Sequence, residues 1–388
     1  MMVPHWNSML PLNLHSVLFG FVAVFGFVAA LFLLSILLPG KTLQGVQLKD
    51  GTRVSYKLNG FLMLLLTAAV LLGGQFSGLI NLAALVHHFW GLVVAANVLS
   101  FGATFWLYAR GVRAGDSHDD EKPTVSVSPS GEAVASKPSL MSAVKGLYYG
   151  VTLNPSLFGI DLKMFSYRPS LIGLWVMNTS FAAYQFEQEG ELSTAMMLYQ
   201  AFTSIYVMNY FQFEYGMLFT WDIVAEKFGW MLVWGDYAFV PFVYCIVGYY
   251  LPDRTEPLSL PASILLPLLF ACGLWIFRGA NQQKDEFKRD PSVKIWGKPA
   301  ETIGGRILVS GFWGIGRKLN YTGEIMVYLS FTLLVGTTSV IPYLLPAWLI
   351  SLLVHRAYRD DKKCREKYGA LWEAYCARAK FKMFPFVY

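Results

Sequence analysis

Charge is what this chain has least of. Asp, Glu, Lys and Arg make up only 14% of its 388 residues, against about 25% in an average soluble domain. That deficit excludes a globular enzyme with a fully hydrated surface. Cysteine is also sparse. Cys245, Cys272, Cys364 and Cys376 form no CxxC pair, so neither a disulfide framework nor a zinc site is indicated. The six histidines lack ligand spacing. His87 and His88 are adjacent, and helical neighbours point about 100° apart, so they read as an interfacial turn. Metal catalysis has no support. No Lys or Arg precedes Lys41, and no internal repeat is evident. A Rossmann fingerprint is missing too: Gly311-x-x-Gly314-x-Gly316 has its glycines in the wrong order and no βαβ pattern around it.

Apolar sequence fills the space. The chain is 55% hydrophobic and 16% aromatic, with runs of about 20 residues, the length that crosses a bilayer. The first run, Val17–Leu38, is too long for a signal-peptide core and reads as a retained span. Further spans are expected at Gly60–Ile80, Phe89–Tyr108, Leu171–Tyr184, Ala195–Phe219, Gly229–Leu251 and Leu258–Phe277. Ile325–Val354, interrupted by Pro342 and Pro346, reads as a helical hairpin. The expected fold is all-α: a polytopic membrane helix bundle of about nine to ten transmembrane helices with a cytoplasmic C-terminal helical segment. Residues 1–109 form N-terminal spans, 110–145 a flexible polar cytoplasmic loop, and 146–388 the functional region.

Bases outnumber acids roughly two to one from Arg278 onward. The positive-inside rule therefore puts this block, and the sequon Asn320-Tyr321-Thr322, on the cytoplasmic side. A basic block suits anionic lipid or a phosphorylated nucleotide; nothing points to nucleic acid.

Polar groups within spans are costly and carry a default expectation of function. Tyr206, Tyr210 and Glu214 recur every four residues, which puts them on one helical face. Asp222 and Glu226 follow, then Asp236. Alternatively, the carboxylates at the span end pair with Lys227 or lipid headgroups. The second constellation contains Asn281, Lys284 and Lys288, the stretch Leu308 to Glu324, and Arg356 to Tyr375. Lys and Arg can pair phosphates, Trp and Tyr can stack on rings, and Asn and Asp can bond ribose or amide groups.

These residues resemble the integral-membrane sterol reductases, which reduce the carbon-14, carbon-7 or side-chain 24(28) double bond and include the lamin B receptor. Four stretches carry the likeness: Asn154-Pro155 with Asp161-Leu162-Lys163 and Arg168-Pro169; Thr220 to Leu232; Phe277 to Lys284; and Gly311 to Glu324 with Arg359 to Tyr388. The resemblance implies a sterol substrate, a membrane-lipid setting and NADPH as hydride donor. Cofactor contacts would fall on Lys284, Lys288, Leu308, Trp313, Asn320, Tyr321, Arg356, Asp360, Cys364, Tyr368 and Tyr375. This chain departs from the family at Lys288, where Arg is usual, and at Phe312-Trp313, where Trp-Trp is usual. Lys288 keeps the charge without a bidentate fork.

An isolated alkene accepts hydride only after protonation. Tyr206, with Glu214, Asp222 or Asp236 as acidic partner, is the expected source of that proton. Arg317-Lys318-Leu319-Asn320-Tyr321-Thr322 leans toward the 24(28) branch, whereas Trp234-Gly235-Asp236 looks like the ring reductases. Two other readings remain open. An isoprenylcysteine-type methyltransferase using S-adenosylmethionine would fit Asp360-Asp361, Tyr368-Gly369, Tyr375 and Pro385. A non-catalytic sterol-binding protein is the third.

Overall fold

The computed structural model describes residues 12–47, 51–117, 125–127, 133–135, 140–254, 256–337, 339–385 and 387. The chain is mostly helical, with short two-stranded antiparallel hairpins between helices. It divides into two compact units, one of residues 193–202 and 253–388, the other the described parts of 3–192 and 203–252.

Among the described residues, four helices are long and apolar enough to cross a membrane: Leu14–Leu37, Phe89–Arg113, Trp230–Tyr250 and Leu260–Arg289. Shorter apolar helices run over Gly60–Phe76 and Leu319–Val335. The expected span within 171–184 belongs to a 28-residue helix, Leu162–Glu189, whose two faces are largely buried in protein. Asp161 caps its start by accepting Met164 N at 2.7 Å, and Gly190 ends it at φ 75°. The run Ala195–Phe219 is not one continuous α-helix. It is α-helical over Thr194–Gln212 and then tightens into a 3₁₀ helix, Glu214–Phe219. The hairpin expected across 325–354 is present, with Pro342 in its turn; Pro346 falls in the first turn of helix Leu344–Tyr368, where proline is tolerated.

The polar stretch after the first span pairs as Lys41–Gln47 with Arg53–Leu58, so the chain is not purely α. Tyr56 from this hairpin is buried against Met164, Met217, Leu218 and Ile223. Of the loop expected over 110–145, residues 118–124, 128–132 and 136–139 lie outside the described residues. On either side of it, helix Phe89–Arg113 extends past the expected span and helix Leu140–Tyr149 begins.

Close helix crossings use small residues. In the larger unit, a Cβ on Gly91 would lie 1.9 Å from Ser16 O, so helices Leu14–Leu37 and Phe89–Arg113 can touch only because no side chain is there. In the C-terminal unit, a Cβ on Gly323 would lie 2.5 Å from Phe277 N, which locks helix Leu319–Leu333 against Leu260–Arg289. Within lipid, such backbone contact replaces the hydrophobic drive that water supplies elsewhere.

Candidate functional site

Two constellations of polar residues stand out, one in each unit. The C-terminal one is built on three helices. Helix Leu260–Arg289 continues well beyond its apolar part and so presents Asn281, Lys284 and Lys288. Helix Leu319–Leu333 supplies Asn320 and Tyr321 at its first turn. Helix Leu344–Tyr368 supplies Arg356, Asp360, Cys364 and Tyr368. These last four recur every four residues, so they follow one slowly turning stripe.

The structure joins several of these side chains. Lys318 Nζ lies 2.6 Å from Asp360 Oδ2, and the Tyr321 hydroxyl donates to the same oxygen at 3.3 Å. Burial alone would raise the Asp360 carboxyl, but the Lys318 ammonium and its hydrogen bond hold it below the ordinary carboxylate value. Asn320 Nδ2 donates to Asn281 Oδ1 at 3.1 Å. Its other atom, Oδ1, is buried and meets no donor among the described residues. Lys284 Nζ stands 4.4 Å from the centre of the Trp313 ring. Lys318 and Lys288 each lie close enough to repel the Lys284 ammonium.

Trp313 is buried, and its indole N–H donates to Ala280 O at 2.8 Å. Its own carbonyl accepts the Tyr375 hydroxyl at 3.0 Å. Leu308 packs beneath it with Phe287 and Ile295. Tyr368 is stacked on Trp372 at 6.4 Å, and Cys364 adjoins the same apolar cluster. Arg356 is exposed, within electrostatic reach of Tyr321. Lys288 is exposed as well.

Several contributors fall outside the expected set. Lys318 is the direct partner of Asp360. Arg317 is buried, and its Nε finds no acceptor among the described residues. Gln283 Oε1 accepts Phe312 N at 3.0 Å and fixes the turn that carries Trp313. Gly311 precedes that turn at φ 59°; a Cβ there would meet Gln283 Oε1 at 2.4 Å. Lys318 and Arg317 lay within a motif already singled out, but nothing in their spacing said which cation would meet Asp360.

Converging cations, an aromatic face and an unsatisfied buried amide oxygen fit a phosphorylated dinucleotide. Lys284, Lys318 and Arg317 suit phosphates, Tyr321 offers a ring face, and Asn320 Oδ1 suits an N–H donor.

The second constellation lies in the other unit. Asp236 is buried in a π-helical turn, Gly235–Phe239, that interrupts helix Trp230–Tyr250. Such turns often mark functional positions. The Ser166 hydroxyl donates to Asp236 Oδ2, and Ser170 lies near the same carboxyl. The Tyr167 hydroxyl donates to Asp222 Oδ2 at 3.2 Å. Burial, then the Asp222 and Asp236 carboxylates and Tyr210, push the Tyr167 phenol upward, so it stays protonated. Tyr206 is buried, with its ring 5.9 Å from that of Tyr210. Tyr206, Tyr210, Tyr167, Asp222 and Asp236 therefore form one connected neighbourhood. Ser166, Tyr167 and Ser170 were invisible to periodicity, because they sit on a helix distant in sequence.

Glu214 is placed differently. The α-helix stops at Gln212, so the four-residue spacing from Tyr206 and Tyr210 does not carry through to it. Glu214 Oε1 accepts Arg168 Nε at 3.2 Å and Oε2 accepts Gly60 N at 3.0 Å. Arg168 also donates to Lys57 O at 2.6 Å. The geometry makes Glu214 a tie between segments. Of the alternative pairings, Glu226 accepts the Trp221 indole at 2.5 Å, while Lys227 donates to Ser117 O at 2.7 Å.

The model of the ergosterol biosynthesis ERG4/ERG24 family matches residues 6–388. A protein of Arabidopsis thaliana named Delta(14)-sterol reductase is 38% identical over 352 residues, covering 91% of each chain. A Delta(14)-sterol reductase of Methylotuvimicrobium alcaliphilum is 36% identical over 392 residues, covering 99% of this chain and 86% of its own. A 7-dehydrocholesterol reductase of Xenopus laevis is 36% identical over 251 residues, covering 61% of this chain and 53% of its own.

Proposed function

This chain belongs to the ERG4/ERG24 family and is a membrane sterol reductase, an oxidoreductase acting on a carbon–carbon double bond; we propose that the bond is the ring Δ14 alkene and that NADPH is the hydride donor. The observation that carries the cofactor reading is the cluster of Lys318, Asp360, Tyr321 and Asn320, with its buried unsatisfied amide oxygen. The names of the Arabidopsis and Methylotuvimicrobium relatives support the choice of bond. The 24(28) leaning finds no support among the relatives compared, whose names specify ring bonds. Its main motif contains Lys318, Asn320 and Tyr321, which belong to the proposed cofactor cluster and so report on the cofactor rather than the alkene. A family match along nearly the whole chain leaves the methyltransferase reading without support.

A Δ14 alkene is electron-rich and does not accept hydride directly. Protonation at carbon-15 leaves a tertiary cation at carbon-14. Bound NADPH supplies the hydride that completes the reduction at that carbon. The chain's own residues bind, orient and protonate. Lys284, Lys318 and Arg317 balance phosphate charge, and Asn320 and Asp360 hold polar edges. Tyr206 delivers the proton, replenished through Tyr210, Tyr167 and the Asp222 and Asp236 carboxyls. Keeping these groups out of water strengthens each of these interactions. We read nine or ten membrane crossings, with the basic C-terminal block cytoplasmic, at the endoplasmic reticulum or a bacterial inner membrane. The four long apolar helices support the membrane setting, and the charge asymmetry supports the cytoplasmic side for the C-terminal block.

The test is product analysis. Purified protein in detergent is given NADPH deuterated at the transferable position and sterols unsaturated at carbon-14, carbon-7 or 24(28). The expected product is the Δ14 sterol reduced, carrying one deuterium. Reduction of another bond overturns the choice of alkene, and a product without deuterium overturns the donor.

A further inference from the structure

Helix Leu140–Tyr149 turns its bulk the wrong way for a helix packed on a protein core. At 100° per residue, Leu140, Val144, Tyr148 and Met141 fall within an arc of about 100°. Leu140 is 82% exposed, Met141 65% and Val144 52%. The side facing the protein carries small residues. A Cβ on Gly146 would lie 2.8 Å from the Tyr108 ring, so only glycine lets the helix seat there.

What this helix seats against says what covers its apolar arc. Tyr108 is near the end of helix Phe89–Arg113, and Trp230 opens helix Trp230–Tyr250; both helices are long and apolar enough to span. Tyr148 lies against Trp230, ring centres 5.6 Å apart. Just beyond the helix, Gly150 meets Gly229 backbone to backbone; a Cβ on Gly150 would be 2.6 Å from Gly229 N. The helix is therefore fastened where one span ends and another begins, at the level of the membrane–water boundary. Lys145 borders the arc and is exposed, as are Arg110 and Arg113 at the neighbouring span end. The Arg110 guanidinium lies 5.3 Å from the Trp106 ring centre. Basic residues, aromatic rings and an exposed apolar arc are the features of a helix lying in the interface.

We propose that helix Leu140–Tyr149 is an in-plane membrane anchor, with Leu140, Met141 and Val144 inserted among lipid and Lys145 at the level of anionic headgroups. Burying that arc removes from water surface that no described part of the chain covers.

Photo-crosslinking tests this in the full chain. Benzoylphenylalanine replaces Met141 or Val144, so that misfolding of one variant leaves the other. Each is reconstituted in vesicles of phosphatidylcholine and phosphatidylglycerol, irradiated, and analysed by mass spectrometry. Phospholipid adducts at both positions are expected. Adducts to peptides of this same chain, or to a second copy, overturn the proposal, as does the absence of any adduct. Lys145→Glu is expected to lower the phosphatidylglycerol share of the adducts to its share in the vesicle. An unchanged share overturns the placing of Lys145 among anionic headgroups.

Discussion

Lys318 and Asp360, 42 residues apart in sequence, form an ion pair at 2.6 Å in the C-terminal unit. The same carboxylate oxygen holds the Tyr321 hydroxyl. The pair leaves one Asp360 oxygen for a ligand while keeping the carboxylate charged.

Asp360→Asn is expected to raise the Kd for NADPH by about tenfold, through loss of a charge-assisted acceptor. The sign with pH is fixed by the downward shift of Asp360. Its contribution is fully present above the ordinary aspartate value of about 4, and is lost only as pH falls through a still lower value. Affinity should therefore not decline through this group between about pH 7 and pH 5. Titration of folded protein across that range measures both effects; an unchanged Kd in the variant removes Asp360 from the site.

Asn320→Ala and Arg356→Ala should each weaken NADPH binding. Asn320 presents a buried oxygen without a donor among the described residues, and a ligand N–H that loses it forfeits roughly 1–3 kcal/mol. Arg356, being exposed, should cost less, and its loss should reduce the salt dependence of binding. Unaltered affinity in both variants places the cofactor elsewhere.

Tyr206→Phe and Asp236→Asn should lower turnover roughly 10²–10⁴-fold, the usual contribution of a positioned acid. NADPH affinity should stay the same. Glu214→Gln should behave in the opposite way. It leaves the buried Arg168 without its counter-charge, at a cost of about 3–5 kcal/mol in stability. A thermal unfolding scan beside single-turnover kinetics separates the two classes. Full turnover in Tyr206→Phe excludes it as the donor.

Lys163 offers a second pH signature. It is fully buried, donating to Ile223 O at 2.9 Å and Glu226 O at 2.6 Å. Burial pushes its ammonium down to about 8, against the pull of Asp161, Asp222 and Glu226. Between that value and about 10.5 the unfolded chain binds more protons than the folded one. Stability from this group therefore rises with pH across that window. Relative to Lys163→Met, the parent protein should gain unfolding free energy from about pH 7 to about pH 9.5. A falling difference contradicts the burial of this charge.

Composition and hydropathy alone determined the membrane class, because a chain with so little charge cannot wet its own surface. They also placed the spans around Val17–Leu38, Phe89–Tyr108, Gly229–Leu251 and Leu258–Phe277, each of which overlaps a long apolar helix. The linear motifs determined the sterol reductase family and singled out the stretch from Leu308 to Tyr375. Periodicity failed at Glu214, since it reads a helix onward past Gln212 and cannot register the switch to a 3₁₀ turn. Nor could it see that Arg168, from a distant helix, would claim that carboxylate. Only the tertiary structure decided which cation meets Asp360, that Ser166 and Tyr167 join Asp222 and Asp236, and that Asn320 keeps one oxygen free of a described donor. The physical reason is the same in each case. A side chain's partner is set by which backbones approach closely, and approaches such as Gly91 to Ser16 or Gly323 to Phe277 join residues that no local pattern relates.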